Sequence, residues 1–261
     1  MRIHGIQVTN LDRVVYPDAG VTKRELFDYF DAVAQPMLVH LESRLLTLVR
    51  HPKGVGGDAF FQKHGGEGTP EVVPRFVVPR KQAEGKEPYV YVDAEPALFA
   101  LVQIGVLEFH VWNSRVPEID KPDQIVFDLD PGPRVSFAEV IDGAREVRRR
   151  LAAIGLAAFV KTTGGKGLHV VAPIVPEHGW EIIGALARIL ARGMARDDPD
   201  RFTSSVSAPG LSRISSGIAI LPMSCSGAAA RTSSTRCSEK PISAAIDADV
   251  SPTRFGCSPS A

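Results

Sequence analysis

Two aspartates separated by one leucine close an apolar run in "QIVFDLDPG", residues 124–132. On an extended strand, positions i and i+2 point the same way, so Asp128 and Asp130 share a face. Carboxylates placed side by side repel, and ionising both is costly unless a positive charge lies between them. A divalent metal meets that need. Hard cations such as Mg²⁺ prefer carboxylate oxygens together with phosphate oxygens. Two such ions, about 3.5–4 Å apart, can activate an attacking oxygen and stabilise a leaving one. The plain alternative is a solvated strand end in which Asp130 opens the "DPGP" turn.

A second segment, "KTTGGKGLHVV" (161–171), combines glycines with polar side chains. Glycine lets backbone approach a ligand closely. Lys166 can bring charge to a phosphate, Thr163 a hydroxyl, and His169 a donor or a base. The segment is not a P-loop, because the leading glycine of G-x-x-x-x-G-K would fall at Val160. Its structural alternative is a hairpin turn with a surface lysine and a hydrogen-bonded histidine. His110, in "LEFHVW", lies on an apolar strand shortly before the aspartates and reads equally as a core residue. A haloacid-dehalogenase-like phosphatase also carries D-x-D after an apolar strand. That pattern continues with Gly-Thr or Thr-Val near an N-terminus, whereas Pro131, Gly132 and Pro133 follow here in mid-chain.

The elements that must position these residues are legible in part. Thr22 with Glu25, and Ser136 with Glu139, are capping-box patterns. The first opens a helix over 23–40 on the apolar positions Leu26, Phe30, Val33 and Met37, with Pro36 a point of kinking. The second opens a helix on Val140, Ala144, Val147 and Leu151 that ends at Gly155. Strands are expected over 44–50, 88–94, 156–161 and 168–174, and helices over 95–107 and from Trp180 to about Leu190. "HPKGVGGDAFFQKHGGEG" reads as a Gly-rich loop interrupted by Phe60 and Phe61.

The 261 residues suffice for one large domain or two small ones with a buried core. Thirty Lys and Arg balance thirty Asp and Glu, so a polyanion site must be a local patch. No apolar run is long enough to span a bilayer and the N-terminus lacks a signal-peptide core, which points to a cytoplasmic protein with no membrane partner. The three cysteines, Cys225, Cys237 and Cys257, show neither metal spacing nor an even count.

Taken together, "LEFHVW", "QIVFDLDPG" and "KTTGGKGLHVVAPI" resemble the polymerase domain of bacterial ligase D, the end-joining enzyme of the archaeo-eukaryotic primase superfamily. "VTNLDRVVYPDAGVTKRELFDYF" is similar to that domain's opening segment and "GDAFFQKH" to its aromatic loop. The resemblance runs over about residues 5–205. It implies an α/β fold: a primase-polymerase core with a mixed, largely antiparallel sheet and flanking helices, plus a small N-terminal subdomain. It implies that Asp128 and Asp130 bind catalytic Mg²⁺ or Mn²⁺, and that His110, Thr163, Lys166 and His169 hold a nucleoside or deoxynucleoside triphosphate. Phe60 and Phe61 would stack on a DNA base. Arg13 and Lys23 would grip a 5′-phosphate at a break or gap, and Arg50 would lie near the DNA. Arg13 stands where lysine is common, a mild departure, since arginine also binds phosphate well. The reaction implied is template-directed nucleotidyl transfer in non-homologous end joining, at the nucleoid, with Ku and a ligase domain or chain as partners.

The likeness stops after "DPDRFTSSVSA". The family has a third acidic residue on a later strand, due here near residues 212–222, where the chain reads "SRISSGIAILP". Residues 206–261 are rich in Ser, Ala, Pro and Arg and hold all three cysteines. They read as a disordered tail, or as the product of a reading-frame shift in GC-rich DNA. Asp247 and Asp249 have no matching surroundings. Loss of the third carboxylate implies an impaired polymerase, or alternatively a non-catalytic module that binds DNA ends and 5′-phosphates.

Overall fold

Two short antiparallel hairpins begin the chain: β1 (Arg2–Ile3) with β2 (Ile6–Gln7), and β3 (Val14–Tyr16) with β4 (Val21–Thr22). The structure is a computed structural model that describes residues 1–66, 68–78 and 88–204 and the backbone of 214–217. By internal contacts the chain separates into Met1–Pro222 and Met223–Ala261, and every described residue lies in the first unit.

Helix α1 (Lys23–Leu41) starts at the expected capping box: the Glu25 carboxylate accepts from the Thr22 N–H at 2.7 Å, and the Thr22 hydroxyl accepts from the Glu25 N–H at 3.4 Å. The helix continues through Pro36. Strands β5 (Leu46–Arg50), β6 (Phe60–Gln62), β7 (Arg75–Phe76) and β8 (Tyr89–Val90) follow, then α2 (Glu95–Gln103) and β9 (Val106–Val111). Helix α2 stops short of its predicted end because Gly105 turns the chain at φ +90°, where a Cβ would stand 3.1 Å from the His51 carbonyl oxygen. Strand β5 sits between β6 and β9 in an antiparallel sheet. Its core-facing Leu46 and Leu48 pack with Phe27 and Phe30 of α1 and the apolar body of α2 in a first core.

Strand β10 (Gln124–Pro131), helix α3 (Phe137–Ala153), strands β11 (Phe159–Thr162) and β12 (Leu168–Pro173), helix α4 (Trp180–Asp197) and strands β13 (Phe202–Thr203) and β14 (Ile214–Gly217) form the second half. Their sheet has the order β11-β12-β10-β14-β13, antiparallel except for the β13–β14 pair. Ile125, Phe127 and Leu129 of β10 and Leu168, Val170 and Ala172 of β12 turn one face of this sheet into a second core with α3 and α4. Burying Phe127 or Leu129 contributes about 1.5–3 kcal/mol each, and both are essentially inaccessible. The opposite face is therefore left to their alternating neighbours.

Strand β11 begins at Phe159 rather than at residue 156. The reason lies in the end of α3. The Leu156 N–H bonds to the Leu151 carbonyl at 3.0 Å and the Gly155 N–H to the Ala152 carbonyl at 3.0 Å, with Gly155 at φ +79°. This is a Schellman closure, and it keeps those residues for the helix end. A second difference concerns the segment beyond residue 205, read from sequence as carrying no strand. Ile214–Gly217 pairs with β10 as β14. The rest of the expected tail, its cysteines and Asp247 and Asp249 lie outside the described residues.

The two halves meet at Asp123, the residue before β10. Arg44, buried, donates to both of its carboxylate oxygens at 2.7 and 2.6 Å, and Arg115 adds a bond of 3.0 Å from Nε. The Asp123 N–H bonds to the Asn113 carbonyl, and its own carbonyl accepts from Ile174 just past β12. A part-buried carboxylate with both oxygens occupied fixes geometry more than it adds stability.

Candidate active site

The alternation of β10 leaves Asp128 and Asp130 on the face away from the second core, alternating with the buried Phe127 and Leu129. Across the ladder, Asp128 is the register partner of His169, and His169 of Lys161 on β11. Directly opposed residues on antiparallel strands project from the same face. Lys161, His169 and Asp128 therefore form one row across three strands. His169 Nε2 lies 3.4 Å from Asp128 Oδ1, while its buried Nδ1 finds no hydrogen-bond partner among the described residues. Burial and, second, the charge of Asp128 raise the pKa of Asp130, and Lys166 opposes them.

The turn between β11 and β12 is shaped by Thr163, whose hydroxyl donates to the Gly167 carbonyl at 3.3 Å and accepts from the Gly165 N–H at 3.4 Å. Gly167 rests directly on β10: a Cβ there would stand 2.5 Å from the carbonyl oxygen of Leu129, the residue between the two aspartates. The lysine-bearing turn and the acidic strand are thus in backbone contact. On its other side, β10 pairs with β14, which brings Ser215 level with Asp130 and Gly217 level with Asp128. Neither register position carries a carboxylate.

The remaining candidates lie in the first half. His110 is exposed on β9. Its Nε2 is 2.9 Å from Glu108 Oε2, and its ring centroid is 6.4 Å from that of Phe61. Phe60 and Phe61 were expected in a loop; they form β6, paired with Arg50 and Val49 of β5. Both rings are exposed, Phe61 by 68%, so they do not serve as a buried cluster. The Arg50 guanidinium stacks 5.1 Å from the Phe60 ring centroid and donates to the Ile104 carbonyl and to Gln62 Oε1.

Lys23 is buried at the start of α1, 3% exposed. Its three ammonium protons face three acceptors: the Thr9 carbonyl at 3.1 Å, the Gln103 carbonyl at 3.1 Å and Gln103 Oε1 at 2.7 Å. Burial, and then the charge of Arg13, lower its pKa to about 8. Arg13 donates to the Pro52 carbonyl at 2.7 Å, and its buried Nε finds no partner among the described residues. Two cations so placed, one of them desolvated, concentrate positive charge locally on a chain of zero net charge.

Sequence reasoning missed Lys161, Gly167 and Gln103. Lys161 and Gly167 stand inside the motif already singled out, but only the hairpin register shows what they face. Gln103 carried no signal, since its contact with Lys23 spans eighty positions.

Donor chemistry supports a hard cation at the aspartate pair, because one or two carboxylates plus substrate phosphates are the usual protein share of a Mg²⁺ site. Among the described residues no cluster of three or more His, Cys, Asp or Glu side chains could hold a metal by itself.

A solved structure resembles this chain in both architecture and sequence. The structure of the polymerase domain from Mycobacterium tuberculosis ligase D in complex with DNA matches with a TM-score of 0.75 and 33% identity, covering 81% of this chain and 76% of that one. Residues 22–209 match the family described as LigD, primase-polymerase domain, and the chain belongs to that family. The multifunctional non-homologous end joining protein LigD of Pseudomonas aeruginosa is 34% identical over 209 residues, 78% of this chain and 24% of the relative. The bifunctional non-homologous end joining protein LigD of Bacillus subtilis is 28% identical over 200 residues, 76% of this chain and 32% of the relative. The chain thus spans about a quarter to a third of these relatives. No helix among the described residues is long and apolar enough to cross a membrane.

Proposed function

We propose that this chain is a template-directed nucleotidyl-transfer domain that acts at DNA breaks or gaps in non-homologous end joining, with its chemistry weakened by the missing third carboxylate. The observation that carries this reading is the contact between the acidic strand and the lysine-bearing turn, Gly167 against Leu129. It joins carboxylates suited to a cation with groups suited to phosphates.

Asp128 and Asp130 would hold Mg²⁺ or Mn²⁺, which when bound supplies positive charge to the reacting phosphate. His110, Thr163, Lys166 and His169 would orient the triphosphate tail. A primer 3′-hydroxyl oxygen bonds to the α-phosphorus, the bond from that phosphorus to the bridging oxygen breaks, pyrophosphate leaves, and the hydroxyl proton passes to solvent. Little covalent work falls to the protein in such a transfer; positioning and charge do most of it. Phe61, exposed beside His110, would stack on a base, with Phe60 held by Arg50 next to it. Arg13 and Lys23 would receive the 5′-phosphate of the downstream strand, Lys23 by its charge because its protons are already engaged. Ku, a ligase domain or chain, and work at the nucleoid belong to the same reading.

Primer extension with Mn²⁺ on gapped, 5′-phosphorylated DNA tests it. Extension by the wild type that Asp128→Ala abolishes supports the enzyme. A second reading, a non-catalytic module that binds DNA ends, is favoured by Ser215 and Gly217 at the register positions beside the aspartates. DNA binding without extension would select it. Residues 206–261 we read as a divergent tail, and the gene's nucleotide sequence tests whether a one-base shift near codon 205 restores an Asp-containing strand.

A further inference from the structure

The solvent face of the five-stranded sheet carries more positive charge than the triphosphate-holding role of Lys166 requires. Lys161 occupies the edge strand β11, in register with His169, which is in register with Asp128. Two strand spacings separate Lys161 from Asp128, about 9.5 Å between backbones, and an extended lysine spans most of that gap. The residue as a whole is exposed, yet the surroundings of its amine are crowded enough to lower its pKa, an effect the Asp128 charge opposes. Lys166, on the turn that Gly167 rests against β10, is near enough for its charge to act on Asp130, after the larger effects of burial and Asp128. Each aspartate thus has a lysine within electrostatic reach before any ligand arrives. A divalent cation at the aspartates would leave both lysines facing a positive charge, a state that only a polyanion relieves.

We propose that Lys161 is a hand-over cation: it balances Asp128 while no metal is bound there, and turns to the terminal phosphates of a nucleoside triphosphate once a divalent cation takes that carboxylate. The inference rests on the functional reading above and adds a positioning residue to it. It makes metal and triphosphate binding cooperative, because each removes a charge conflict that the other leaves. The competing account is an edge guard. Phe159 and Val160 are exposed on the same edge strand, and a lysine there would discourage pairing with another chain.

Two binding measurements on the full chain distinguish these accounts: free Mn²⁺ followed by electron paramagnetic resonance, and a fluorescent non-hydrolysable nucleoside triphosphate followed by anisotropy with Mn²⁺ present. For Lys161→Met, removing a competing charge should tighten Mn²⁺ alone by about threefold to tenfold, while triphosphate binding weakens by about tenfold. Nucleoside monophosphate binding should be unchanged, and Lys161→Arg should restore both wild-type values. These opposite signs are not the signature of a structural defect, which would weaken both. Mn²⁺ affinity that stays equal or falls in Lys161→Met overturns the proposal, as does unchanged triphosphate affinity or a variant that merely self-associates. A wild type that binds no Mn²⁺ removes the metal reading of Asp128 and Asp130 itself, and the inference with it, before Lys161 is altered.

Discussion

The candidate residues of the two halves hold their charges in opposite ways. In the first half, Lys23 gives each of its three protons to a protein acceptor and Arg50 is tied to Ile104, Gln62 and the Phe60 ring. In the second, His169 approaches Asp128 to only 3.4 Å. In the first, Lys23 and Arg50 are engaged before any ligand arrives and, in the proposed function, would meet DNA with a fixed shape. The second is held in place by strand register, with like charges adjacent on one strand and lysines beside them. A surface that must bind a backbone repeatedly gains from rigidity; a site that must accept a cation and a polyanion gains from charges that can change partners.

Asp128→Ala should break the second region most completely. The rate of nucleotide transfer should fall by at least about three orders of magnitude, as expected when the charge stabilising the transition state is lost, with binding of 5′-phosphorylated DNA retained. Gly167→Ala comes next. A methyl 2.5 Å from the Leu129 carbonyl must push the turn off β10, costing about 1–3 kcal/mol of stability. A lower thermal midpoint and weaker triphosphate binding would register it, and an unchanged protein would show that the contact is not tight.

Lys23 sharpens the comparison through pH. Its folded pKa of about 8 lies below the ordinary 10.5. The unfolded chain therefore binds more protons between those values, and folding stability from this group should rise as pH climbs through that window. The proposed phosphate binding needs the charged form. Preference for 5′-phosphorylated over 5′-hydroxyl ends should thus weaken above pH 8, approaching tenfold per unit. Opposite slopes in unfolding and DNA-binding titrations would establish both; parallel slopes would reject a shared cause. Phe61→Ala should have the smallest effect, weakening DNA affinity by about tenfold without altering triphosphate binding.

Local chemistry made the helices and the acidic pair legible. Thr22 with Glu25 and Ser136 with Glu139 close the capping boxes the sequence suggests, and alternation along β10 places both aspartates on one face as period two requires. Features set by distant pairing were not legible. The Phe60–Phe61 segment reads as loop because its glycines dominate, yet β5 supplies a partner. The burial of Lys23 is not legible until Gln103, far along the chain, is seen to enclose it. Lys161 required the hairpin register, and β14 has no periodic signal in four residues.

Asp123 gives the acidic strand a fixed origin. Gripped by Arg44 and Arg115 and by backbone bonds on both sides, it sets the point from which residues are counted toward Asp128. Deleting or inserting one residue between them would swap the two sides of the strand, driving the carboxylates inward and presenting Phe127 and Leu129 to water. The spacing from that anchor is therefore as much a requirement of the proposed site as the aspartates themselves.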